Sequence, residues 1–158
     1  MLNSLLIFFH VAAAILLLAP VMVGVSAFPR QADAARAGDE RAAGRAQLLH
    51  RVSSTYGMLS ALVPLLGAAV LFAGWSEYKS MWQFHTSLIV AIVAWAVLIA
   101  LVIPQQKKMM GSLNLLPASD ADPEHDHVAD WDGAKKKATI GGGIFNLLWI
   151  ILLILMYV

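Results

Sequence analysis

From Leu2 to Phe28 the chain runs without an Asp, Glu, Lys or Arg, and the run ends abruptly at Pro29-Arg30. At ~1.5 Å rise per residue, a helix of this length crosses the ~30 Å hydrocarbon layer of a bilayer. Three later runs repeat the pattern. Lipid offers no partner to a free backbone N–H or C=O, so such runs fold as helices that satisfy their own backbone. The expected fold is therefore all-α, a single four-helix transmembrane domain over residues 1–158. Its helices are expected at about 2–28, 52–74, 81–103 and 139–158, with polar segments at about 29–51 and 104–138.

Composition agrees, since 59% of the residues are apolar and only 13% charged, against about 25% charged in soluble domains. Val25-Ser26-Ala27 resembles a signal-peptidase site, but no basic residue precedes the run and its length exceeds the roughly 7–15 residues of a signal h-region. A retained first helix is expected. The absence of cysteine excludes disulfides, zinc–thiolate sites and iron–sulfur clusters.

Prolines and glycines mark the expected irregularities. Pro20 frees the carbonyl of Leu16 and predicts a mild kink near the end of helix 1. Pro64 predicts a bend in helix 2, and Pro104 is expected to close helix 3. Residues 31–50 are rich in alanine, the best helix former, and predict a helical excursion continuous with or abutting helix 2, weakened by Gly38 and Gly44. Ser53, Gly57 and Ala61 form a row of small residues that lets another backbone approach closely, and Asn146 is expected to hydrogen-bond between helices. Trp75, Tyr78 and Trp82 suit an interfacial aromatic belt.

The basic residues set the orientation. Of the 11 Lys and Arg, all but Lys79 lie in the two long polar segments. The positive-inside rule places those segments in the cytoplasm and both termini outside the plasma membrane. His10 and His85 then fall in the outer half of the bilayer and His50 at the cytoplasmic edge.

Intramembrane histidines are candidates for function because hydrocarbon makes them costly. His10 and His85 could ligate haem or copper or contact a quinol; the plainer reading is that each bonds a neighbouring helix and fixes packing. In the acidic loop 120–132, His125, Asp126 and His127 carry imidazole and carboxylate groups able to hold Zn²⁺ or Ni²⁺ weakly. A calcium loop is excluded there, with His125 at the glycine position and Trp131 at that of the bidentate Glu. The plainer reading is a solvated loop or a polar docking surface. Arg30, Arg36, Arg41 and Arg45 could meet phospholipid headgroups or a partner's carboxylates.

No carboxylate or lysine lies within the four apolar runs, which argues against an ion-coupled pump. No inverted repeat, nucleophile–base pair, phosphate loop or nucleic-acid patch is present.

His10, the long apolar run and the Phe28-Pro29-Arg30 exit together resemble an Ala- and Arg-rich actinobacterial four-helix membrane family. That family is loosely similar to CopD-type copper-resistance proteins and to the four-helix membrane protoporphyrinogen oxidase, which binds haem b. In those relatives a first-helix histidine precedes a basic exit, so the resemblance carries over His10 and Arg30. Chains of this kind are also similar to accessory subunits of actinobacterial cytochrome bcc–aa3 supercomplexes. The resulting expectation is a non-catalytic accessory subunit with respiratory cytochrome bc and oxidase partners and no cofactor of its own. The alternative is a haem b- or copper-binding redox protein using His10 and His85.

Overall fold

The computed structural model describes residues 2–157. Its four long helices are α1 (Leu2–Arg36), α2 (Glu40–Ala73), α3 (Trp82–Ser112) and α4 (Trp131–Tyr157), each long and apolar enough to cross a membrane. A one-turn helix, Trp75–Tyr78, joins α2 to α3, and no strand occurs among the described residues. The chain is all-α and multi-pass.

The helices outrun their apolar stretches, and the prolines do not stop them. In α1 a π-helical turn at Ala14–Leu18 precedes Pro20, so the backbone absorbs the missing N–H by widening one turn. In α3 the same device, at Leu98–Val102, precedes Pro104, and the helix continues to Ser112 instead of closing. Pro29 is also buried within α1. The carbonyl it would leave free is that of Val25, and α4 closes on this atom at Gly142, where a Cβ would lie 3.0 Å from the oxygen.

Helix α2 is instead interrupted at Ser60-Ala61, one turn before Pro64. There Ala61 N–H turns to the carbonyl of Met58, so Gly57 loses its helical partner. Two side chains replace it: Ser60 Oγ donates to the Gly57 carbonyl at 2.7 Å and Trp95 Nε1 at 3.1 Å. The Gly57 carbonyl thus keeps donors at the break, as hydrocarbon requires.

Residues 31–50, expected as a helical excursion, are helical except at 37–39, and of the polar segment 104–138 the stretches 104–112 and 131–138 are helical as well. Gly38, at φ 98°, lets the chain reverse between α1 and α2. Asp39 then caps α2, accepting from the N–H of Arg41 at 2.9 Å and of Ala42 at 3.0 Å. Ala42 and Ala46 face inward while Arg41 and Arg45 face out.

Two cores are stacked along the bundle. One, among the apolar runs, includes Leu18, Val21, Val25, Val63, Leu98 and Phe145. The other, at the charged end, is built by Phe28, Ala32, Ala46, Met109, Met110 and Trp131. Leu113, Leu115, Leu116 and Val128 of the α3–α4 loop roof this second core. The charged end is therefore a folded cap in which all four helices take part.

Asp33 clamps α1 to α4 in that cap. One carboxylate oxygen accepts from Trp131 Nε1 at 3.0 Å and the other from Lys135 Nζ. Both ionic partners are about two-fifths exposed, so water screens the ion pair, which contributes at most about 1 kcal/mol. The larger effect comes from the indole N–H of Trp131, a residue only 8% exposed. Asp33→Ala is expected to destabilise the cap by about 1–2 kcal/mol, chiefly by leaving that donor unpaired. Lys135→Ala should cost less, and high salt should not erase the difference in denaturant titrations. Equal losses for the two variants would refute this division.

Candidate functional site

The intramembrane histidines are held by different neighbours. His10, on α1, places Nδ1 3.0 Å from the Val63 carbonyl of α2. Since a carbonyl only accepts, Nδ1 carries the hydrogen, and in the neutral ring Nε2 then keeps its lone pair. The ring fits because Gly67 is bare; a Cβ there would lie 3.1 Å from His10 Cε1. His85 turns to its own helix, with Nδ1 3.2 Å from the Met81 carbonyl and its ring edge-on to Trp75 at 5.9 Å. The two share no hydrogen-bonding or ring partner, so the contacts they make do not bring them together as a ligand pair.

The small-residue row lies inside the bundle. Gly57 faces Leu98 and Ile103 of α3, each 3.0 Å from where its Cβ would stand. Ser53 packs on Gly24 of α1, whose Cβ would fall 2.6 Å from Ser53 Oγ. Ala61, at the break in α2, is half-buried. Asn146 joins α4 to α1 by donating from Nδ2 to Ser26 Oγ at 2.8 Å, while its own Oδ1 lacks a partner. These residues pack helices, and the helices are those of the same chain.

A polar chain at the junction of the two cores was not anticipated. His50 Nδ1 donates to Gln106 Oε1 at 3.3 Å, and Gln106 Nε2 donates to Ser53 Oγ at 3.4 Å. Gln106 is almost fully buried, as is Ser53. The sequence signal was slight: His50 and Ser53 lie three apart on one helical face, but Gln106 follows a proline expected to end α3.

The acidic loop is stapled down at one end. Asp126 is buried, lies 3.2 Å from Lys107 Nζ, and accepts from the backbone N–H of Asp122 at 2.8 Å. Its backbone lies directly on Gly111, and Ser112 Oγ accepts from Val128 N–H at 2.7 Å. His125 instead bonds Asp122 at 2.9 Å, and His127 is exposed. Reduced water contact raises the Asp122 pKa, but hydrogen bonds from His125 and the Glu124 N–H outweigh it and hold the carboxyl below its ordinary range. Asp126 faces Lys107 while the histidines face solvent. Among the described residues no three His, Cys, Asp or Glu side chains gather to hold a metal ion.

Of the arginines, Arg36 lies over the Trp131 ring at 5.1 Å, a cation–π contact within the cap. Arg30, Arg41 and Arg45 are exposed. Among the described residues every ion pair uses a lysine or a histidine, and no arginine meets a carboxylate. In comparisons with known proteins, no family model, no curated protein and no solved structure matches this chain.

Proposed function

We propose that the protein is a non-catalytic integral membrane subunit that packs against a larger membrane assembly, a respiratory cytochrome bcc–aa3 supercomplex foremost. The observation that carries this reading is the exposed arginine set. Arg41 and Arg45, one turn apart on the outer face of the α1–α2 hairpin, pair with no carboxylate among the described residues. They stand ready for a partner's acidic groups. Several polar side chains of the apolar helices bond within the chain, Trp95 to Gly57, Ser53 to Gln106 and Asn146 to Ser26, while Ser54, Ser87 and Trp149 each bury a polar atom without a partner. Such a chain is equipped to be held and to hold, and has little with which to turn over a substrate. With ten of the 11 basic residues at the cap end, the cap faces the cytoplasm and the termini lie across the plasma membrane.

A second reading rests on His10. Its Nδ1–H···O=C bond leaves Nε2 free, the tautomer found in histidines that ligate metals. In this reading the chain binds haem b or copper through His10. One preparation separates the two. Purified through a tag in mild detergent, the chain should bring down cytochrome and oxidase subunits, and Arg41→Gln with Arg45→Gln should weaken their recovery. Any haem absorption should then depart with the partners at high salt. Recovery of a lone, colourless chain overturns the subunit reading, and a Soret band that stays with the isolated chain and vanishes in His10→Ala establishes the second.

A further inference from the structure

A groove of about 560 Å³ runs down α1 where α4 leans against it. Two rows of α1, Met22–Ser26–Arg30 and Val23–Ala27–Gln31, line it together with Asn146 of α4. Residues four apart stack at ~6 Å intervals along a helix, so the lining changes in a fixed order with depth. Deepest are a thioether and an isopropyl group. Next come the Ser26 hydroxyl, the Ala27 methyl and the Asn146 amide. At the mouth stand the Arg30 guanidinium and the Gln31 amide, where the apolar run gives out.

The groups there are only partly used. Ser26 Oγ donates to the Met22 carbonyl at 2.7 Å and accepts from Asn146 Nδ2. Asn146 thus spends one of its two amide hydrogens and keeps the other. Arg30 is exposed and has no carboxylate within ion-pairing distance among the described residues.

We propose that this groove holds one anionic phospholipid from the leaflet on the charged side of the bundle. A phospholipid presents acyl chain, ester and phosphate in the same order over the same depth. Its phosphate would meet Arg30, whose planar fork matches phosphate oxygens, and Gln31. An ester carbonyl would accept the spare Asn146 hydrogen, and an acyl chain would lie along Met22 and Val23. Charge complementarity selects this occupant over a partner's apolar helix, which would cover an unpaired guanidinium at the membrane edge without supplying an anion. The proposal does not depend on the subunit role.

The test uses the full chain reconstituted in vesicles of phosphatidylglycerol mixed with phosphatidylcholine, extracted in mild detergent and weighed intact by native mass spectrometry. One phosphatidylglycerol should be retained in preference to phosphatidylcholine. Losing a charge-assisted hydrogen bond should lower that retention about tenfold in Arg30→Gln. Ala27→Leu, which fills the groove, should lower it as well, and Lys79→Gln, exposed in the link between α2 and α3, should leave it unchanged. Arg30 is exposed, so its substitution leaves the packing intact and a lost preference reports the lipid contact. Unchanged retention in Arg30→Gln, or equal retention of the two lipids by the native chain, overturns the proposal.

Discussion

Phe28→Ala should lower the stability of the cap by about 3–5 kcal/mol, the range for emptying a fully buried aromatic site. Phe28 is 0% exposed, and its ring lies 6.3 Å from the imidazole of His50. It belongs to the core shared with Met109, Met110 and Trp131, and Arg30 and Arg51, next in the chain to Pro29 and His50, are exposed. Unfolding there exposes apolar surface to water, so truncation loses transfer free energy as well as packing. Phe145 is equally buried but sits in the core among the apolar runs. Separating helices in lipid exchanges protein contacts for acyl chains that are nearly as apolar, leaving only a packing difference. Phe145→Ala should therefore cost about half as much as Phe28→Ala, counting the cavity alone. Denaturant titration in micelles, followed by amide exchange in the cap and in the spans, reads both. Equal costs would mean that the second core lies within hydrocarbon.

The four long apolar helices were legible because a charge-free run such as Leu2–Phe28 must satisfy its backbone internally in lipid. That same logic sees only the length inside the membrane, and so it ended α1 at Phe28 and α3 at Ile103. The cap was written in a weaker code. Ala42 and Ala46 recur at helical spacing with Arg41 and Arg45 beside them, but inward alanines bury little area and leave a faint periodicity. Pro29 and Pro104 read as stops because a proline's cost is local. Its remedy, a widened turn such as Leu98–Val102, comes from geometry that residue type does not announce. The loop histidines and Asp126 read alike as ligands for a related reason. That Asp126 turns to Lys107 follows from the loop folding back on Gly111, a contact between segments distant in the chain. Asn146, by contrast, was legible, because a lone amide among apolar side chains has few partners, and Ser26 is one.

Gly24→Leu should be the most damaging single substitution along the α1–α2 seam. A Cβ at position 24 would lie 2.6 Å from Ser53 Oγ and 3.3 Å from the backbone carbonyl of Leu49. The hydroxyl can rotate away, but the carbonyl belongs to α2 and moves only with it. Ser53 also anchors Gln106, which in turn accepts from His50, so displacing one hydroxyl releases a buried amide at the junction of both cores. Overpacking costs about 1–3 kcal/mol and each stranded buried polar group about as much again, so the sum approaches the whole stability of a small domain. Gly24→Ala isolates the first step. It should destabilise by about 1–3 kcal/mol on its own and by less when Ser53→Gly is present, a coupling that a double-mutant cycle measures. Gly44 supplies the contrast: it lies inside α2 with nothing within 4 Å of its missing Cβ. There Gly→Ala should stabilise by about 0.5–1 kcal/mol, through helix propensity alone. Opposite signs at positions 24 and 44 in thermal unfolding in detergent would establish that the hairpin is held by close backbone approach through Ser53. A stabilising Gly24→Ala would mean that α1 and α2 stand further apart and that the His50–Gln106–Ser53 chain is not what joins the cap to the spans.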